Sequence, residues 1–197
     1  VNTNLLSRDY LQGALKGETS WSFLYYSDLV KENCMTVSSP IRSDGDVGSI
    51  IGTFNLTLSG KDIDVIVNSV GVMLGETGSS YLIDSDGLLL TNTTDGDYTK
   101  DSALKERLDT DVVRILSGPI KAGDLDFKTT KEYRGYTGLP AIGVLGVIRF
   151  GSRPAGLVIA LDLDEAMAEV KELRNRLIGL GLVVALIVAV MSYLIAA

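Results

Sequence analysis

The chain has 197 residues and a formal net charge of −7, a balance that argues against nucleic acid or an anionic lipid surface as its main partner. It contains no histidine, so Ser-His-Asp and Cys-His catalysis, histidine metal sites and histidine-ligated haem are excluded together. Its single cysteine, Cys34, cannot close an internal disulfide and, in the strand-like stretch 34–37, reads as a small buried apolar group rather than a nucleophile.

The sequence opens at Val1 without methionine, apolar signal or first membrane helix and stops flush with an apolar run, which reads as a fragment of a longer protein. Three Asp-Gly pairs, Asp44-Gly45, Asp86-Gly87 and Asp95-Gly96, predict turns, because glycine accepts the positive φ of tight hairpins. Residues 50–58 alternate as a strand, with Ile50, Phe54, Leu56 and Leu58 on one face and Ile51, Thr53, Asn55 and Thr57 on the other. Residues 61–74 change to a helical period, with Ile63, Ile66, Val67, Val70, Met73 and Leu74 as one stripe. Strands are predicted at 81–83 and 88–90, a helix over 102–116, and strands over 127–136, 141–149 and 156–163. The plan is α+β, antiparallel strands with helices at the margins. Strand followed by helix occurs twice in similar form, IGTFNL at 51–56 before Lys61 and VIALDL at 158–163 before Asp164, which points to two tandem modules.

From Leu163, apolar residues at Leu163, Met167, Val170, Leu173 and Leu177 recur at spacings of three and four, the seam of a helix that pairs with a copy of itself. Glu172 and Arg176 form an i,i+4 pair on its exposed side. The helix is expected to run unbroken from Asp164 into residues 177–197, LIGLGLVVALIVAVMSYLIAA, which are uncharged throughout. At about 1.5 Å per residue that run reaches roughly 30 Å, enough to cross a bilayer; a buried core helix is the alternative. Gly181, Ala185 and Ala189 place small residues four apart and permit close helix contact. Lys171, Arg174 and Arg176 crowd the head side of the span, where the positive-inside rule puts the cytoplasm; that rule compares two flanks, and only one is present.

Other patterns have plainer readings. Asp84-Ser85-Asp86-Gly87 opens like a calcium loop but lacks the later acidic ligands, so it reads as a turn. The glycines at Gly75 and Gly78 have neither phosphate-loop spacing nor a following lysine, and Tyr133, Arg134 and Tyr136 read as sheet-covering strand residues. No metal site, cofactor or catalytic group is expected.

Five stretches carry a resemblance: SRDYLQGALKG at 7–17, 37–58 with its SPI and GTFNL, GETGSSYLIDSDG at 75–87, YRGYTG at 133–138 and GLVIALDLDEAM at 156–167. In order and spacing they are similar to the extracytoplasmic double Cache (dCache) sensor domains of bacterial and archaeal chemoreceptors, histidine kinases and cyclic-dinucleotide enzymes. The resemblance implies two PAS-like modules, a membrane-distal one incomplete at residues 1–70 and a proximal one at 71–163. A signalling helix at 164–176 and a transmembrane helix at 177–197 follow. It also implies a missing long N-terminal helix and first span, an extracytoplasmic head and signalling as a homodimer.

The resemblance further implies a ligand pocket in the distal module. Arg8 and Tyr10 match an Arg-x-aromatic motif that clamps a carboxylate, since a guanidinium offers paired donors and a ring walls the pocket. Tyr25 or Tyr26, with Asp28 close behind, falls where the family places another pocket tyrosine. Amino-acid-binding members carry an aspartate where this chain has Asn55, which supplies an acceptor but no charge for a ligand ammonium. A carboxylate or neutral polar ligand therefore fits better. The competing reading has Arg8 starting a helix at the surface and Tyr10 packing in the core. By function the classes are a receptor input domain, a membrane-anchored enzyme working without histidine, and a structural or adhesive ectodomain; the resemblance favours the first.

Overall fold

The computed structural model describes residues 5–43 and 48–196, with side chains to residue 192; the expected Asp44-Gly45 turn lies outside them. Helix α1 (Asp9–Leu15) packs on a first antiparallel sheet. There the long strand β3 (Glu32–Arg42) pairs with two short strands, β1 (Ser20–Trp21) and β2 (Tyr25–Ser27), and with β4 (Ile50–Ser59). Helix α2 (Gly60–Val72) leads to a second antiparallel sheet in the order β5-β8-β7-β6. Its strands are β5 (Ser79–Ile83), β6 (Lys128–Arg134), β7 (Pro140–Phe150) and β8 (Arg153–Asp162). Helix α3 (Asp111–Ala122) lays Val112, Leu116 and Ile120 on that sheet, where Tyr81, Leu145 and Val158 meet them. Spacings of four keep those three on one helix face, and burying each such aliphatic side chain contributes roughly 1.5–3 kcal/mol.

A second core joins the two sheets. Leu24, Met35 and Ile63 pack with Leu82, Leu90, Phe150 and Ala155, so the segment around residue 70 lies inside a shared helix and beside shared packing. The α2 stripe differs from the expected one. Ile63 is buried and Val67 packs on the core, but Ile66, Val70, Met73 and Leu74 face solvent. The helix instead turns the ridge of Gly60, Ile63, Val67 and Gly71 inward, because glycine at 71 lets its backbone approach β5. Phe54 and Leu56 on β4 are likewise exposed.

The helix expected over 102–116 begins only at Asp111. Leu104 stands at φ 61°, a left-handed conformation that an α-helix of L-residues does not pass through. Residues 104–108 instead bond back to the preceding turn, Leu104 N donating to Leu89 O at 2.8 Å and Leu108 N to Gly87 O at 2.9 Å. The strand expected at 88–90 is correspondingly reduced to two isolated bridges. Past Leu116 the helix continues to Ala122 and stops at Gly123, whose φ of 68° suits a glycine C-cap. At Asp84, Oδ1 accepts from Asp86 N and Leu88 N, both at 2.8 Å, the side-chain-closed turn that the calcium-like sequence forms.

Strand β8 runs directly into α4 (Leu163–Ala166) and then α5 (Ala168–Ala196). The expected unbroken rod is interrupted at Met167 (φ −98°, ψ 2°), although Met167 N still donates to Leu163 O at 3.0 Å and Lys171 N to Met167 O at 2.9 Å. The expected Glu172–Arg176 contact forms, and Lys171 Nζ meets Asp164 Oδ1 at 2.6 Å. The segment Ala168–Ser192 is long and apolar enough to cross a membrane, and its apolar part packs against nothing in the head.

Glu165 fastens the base of this helix. Its carboxylate accepts from Glu76 N at 2.8 Å, Thr77 N at 2.7 Å and the Thr77 hydroxyl, while Thr77 Oγ1 accepts from Asp162 N at 3.1 Å. The Thr77 hydroxyl and the two amides hold the Glu165 carboxyl below its ordinary value. Glu165 thus binds its proton less tightly folded than unfolded, so its contribution is complete above the ordinary carboxylate range and is lost as pH falls through it. Asp162, raised by burial and by Asp95, Glu165 and Asp164, has the opposite sign and loses its contribution as pH rises through its raised value. We predict that Glu165→Ala accelerates hydrogen exchange at the Glu76 and Thr77 amides at neutral pH, and that Glu165→Gln does so less. Unchanged exchange in the alanine variant contradicts the fastening.

Candidate functional site

Arg8 is the N-cap residue of α1, with an extended backbone (φ −78°, ψ 131°), and its side chain lies over the Tyr25 ring at 5.1 Å. Tyr10, the second residue of the helix, is 5% exposed and stacks on the same ring with centroids 6.4 Å apart. The Tyr25 hydroxyl bonds Thr36 Oγ1 at 3.0 Å, and Thr36 Oγ1 bonds Thr57 Oγ1 at 3.1 Å, tying the ring to β3 and β4. Burial, ahead of the other causes, pushes the Tyr25 phenol well up, so it remains a neutral hydroxyl. Arg8 starts a helix at the surface and Tyr10 is buried, and both border one cleft.

That cleft has a volume of about 230 Å³ and is also lined by the tip of the β7–β8 hairpin. Ser152 N donates to Ser22 O at 3.3 Å, and a Cβ at Gly151 would stand 2.1 Å from Ser22 O, so the tip is seated closely. Arg153, next along, lies 5.5 Å over the Phe23 ring, which meets Phe150 edge-on at 6.0 Å. Among the described residues neither Arg8 nor Arg153 has an ion pair or a side-chain hydrogen bond. The arrangement can bind an anion by charge and oriented N–H donors against aromatic walls.

The other expected site residues are placed elsewhere. Tyr26 is 52% exposed and borders a separate cavity of about 240 Å³, between the start of α2 and the 90–105 segment. Within that cavity Asp64 accepts from Asn92 N at 3.0 Å and from Asn92 Nδ2 at 2.6 Å; burial nonetheless raises its carboxyl above the usual value. Asp28 sits in the β2–β3 turn, exposed, with Lys31 Nζ at 3.9 Å, and lines neither cavity. Asn55 lies at mid-β4 opposite Ser38, on the face that also carries Thr53 and Thr57. Its Nδ2 donates to Thr53 Oγ1 at 3.3 Å, and it does not border the Arg8 cleft. Ser38 beside it is fully buried with an unpaired hydroxyl.

The second sheet has its own small cavity, about 20 Å³, filled by tyrosines. Tyr81 meets Tyr136 edge-on at 5.3 Å, the Tyr136 hydroxyl donates to Asp95, and Tyr133 is buried in the core beneath. Such a volume admits about one water, and so no organic ligand. Arg153 was not anticipated. The only sequence signal is its position after Gly151-Ser152 between two long strands, and that signal does not reveal what the hairpin tip touches.

No family model matches the chain, and no curated protein sequence matches it. Solved structures do. The ligand-binding domain of the Pseudomonas aeruginosa amino acid chemoreceptor PctB, in complex with L-Arg, matches with a TM-score of 0.55 and 22% identity over 85% of this chain and 64% of that one. The ligand-binding domain of the Pseudomonas fluorescens chemoreceptor CtaA, in complex with L-leucine, matches at 0.52 and 16% identity over 84% and 63%. The extracellular domain of a protein described as a histidine kinase matches at 0.53 and 16% identity over 81% and 56%. The chain therefore has the fold of the Cache ligand-binding domains of chemoreceptors and histidine kinases, and it spans less than two thirds of the length of these structures.

Proposed function

We propose that the chain is part of the extracytoplasmic input domain of a transmembrane signalling receptor that binds a small carboxylate-bearing ligand beside Arg8. The observation that carries this reading is the Arg8 guanidinium, which lies over Tyr25 on the lining of a cleft and, among the described residues, pairs with no acid. The fold supports it, and the direct run from β8 through α4 and α5 into the apolar span supplies an output path. In this reading the head stands outside the membrane and its two modules meet near residue 70. The stalk pairs with a second copy through Val170 and Leu173, and the chain itself binds rather than catalyses. Asn55 supplies no charge on this sheet face but stands outside the cleft, so the preference for a plain carboxylate rests on the two guanidiniums that border it.

A thermal-shift screen of amino acids, small organic acids and sugars against the full chain in detergent tests this. A carboxylate ligand is expected to raise the melting temperature. Asn55→Asp is expected to shift preference toward ligands with an ammonium beside the carboxylate, because it adds a negative charge on the same sheet face. Stabilisation by no carboxylate at all overturns the proposal.

A further inference from the structure

We infer that the Arg8 cleft is built for a small dicarboxylate, with Arg153 as the second anion-binding group and as the contact that reports ligand to the stalk. This rests on the reading of Arg8 as a carboxylate clamp and adds the ligand class and the route. Each guanidinium lies over a different ring, Arg8 over Tyr25 at 5.1 Å and Arg153 over Phe23 at 5.5 Å, and both border the same cleft of about 230 Å³. A guanidinium held over a ring face keeps N–H donors for a carboxylate. Two guanidiniums over two different rings suit two carboxylates better than one. Among the described residues the only acid on the lining is Asp9, which pairs with neither arginine, so two cations face one anion there. Its volume is below that of drug-sized pockets and suits a short-chain acid.

The two arginines come from different ends of the fold. Arg8 caps α1 on the first sheet, whereas Arg153 is the first residue of β8, whose last residue, Asp162, precedes α4. β8 is hydrogen-bonded along both edges, to β5 and β7, and therefore moves with its sheet. A ligand held by both guanidiniums would tie α1 to the strand that continues into the stalk. A ligand held by Arg8 alone would not.

The test is calorimetric titration of the full chain in detergent with the straight-chain dicarboxylates from malonate to adipate, each against the monocarboxylate of equal length. At least one diacid is expected to bind about tenfold or more tighter than its monoacid, as an added charge-assisted contact provides. Arg153→Gln is expected to remove the diacid's advantage, weakening the diacid about tenfold more than the monoacid, while Arg8→Gln weakens both strongly. Arg153 is exposed at a hairpin tip, and an unchanged melting temperature of the variant confirms that it folds. If a monoacid binds through Arg8 but no diacid exceeds it, or the diacid advantage survives Arg153→Gln, this inference fails and the Arg8 clamp stands. If neither class of acid binds, or binding ignores Arg8, both fail.

Discussion

Arg8→Ala is expected to weaken a carboxylate ligand of this chain by roughly 2–5 kcal/mol, the cost of removing one partner of a charge-assisted, bidentate contact. The guanidinium is held over Tyr25 and, among the described residues, is not spent on any acid, so its loss falls on the ligand and not on an internal ion pair. Arg8→Lys is expected to restore only part of the affinity, because an ammonium is a point charge without the planar fork and does not stack on Tyr25 in the same way. Helix α1 loses little in either variant: its N-cap position carries no side-chain cap bond in the native chain. Titration calorimetry on the three proteins checks this, and equal affinity in wild type and Arg8→Ala contradicts it.

Gly71→Val is expected to destabilise the head by about 3 kcal/mol or more, as overpacking against backbone does. A Cβ at Gly71 would stand 2.4 Å from the Ser79 carbonyl carbon and 2.5 Å from Ser80 N, atoms fixed in β5 that cannot rotate aside. Gly71 N also donates to Ser80 Oγ at 2.8 Å, so displacing α2 breaks a buried bond between helix and second sheet. The same clash would loosen the core in which Ile63 and Met35 meet Leu82 and Phe150. Gly118→Ala provides the contrast. It lies in α3 with nothing within 4 Å of its added Cβ, and helix propensity favours alanine by about 1 kcal/mol. Denaturant unfolding of both variants is expected to move the midpoints in opposite directions.

What the sequence revealed follows from which forces are local. Strands β4, β7 and β8 were readable because strong alternation or apolar runs are bounded by turn residues, and the Glu172–Arg176 pair because it needs only helical spacing. The long apolar helix at the end of the chain was readable because length and composition alone define it. The start of α3 was hidden by Leu104, whose left-handed backbone is imposed by its bond to Leu89 and not by its own preference. The buried face of α2 was misassigned because that helix is apolar around most of its circumference, and the deciding ridge includes two glycines that carry no hydrophobic signal. At the site, Arg8, Tyr10 and Tyr25 converge because α1 packs on β1 and β3 while Tyr25, on β2, pairs beside them with Cys34 of β3. Tyr26, one residue on, points the other way by strand alternation. Arg153 reaches the cleft from more than a hundred residues away through the close seating of Gly151 on Ser22, a contact no local pattern encodes.

The central claim is that ligand at the head alters the stalk, and cross-linking at Val170 measures it most directly. With Cys34→Ala removing the buried native thiol, Val170→Cys leaves one cysteine on an exposed position of α5, at the expected seam between copies. In native-like membranes, disulfide formation between two chains is followed with and without a carboxylate that binds the head. The account predicts that ligand changes the cross-linking rate and that Arg8→Ala abolishes the change. Ligand that binds through Arg8 while leaving the rate unaltered, or a Val170→Cys chain that forms no cross-link under any condition, contradicts it.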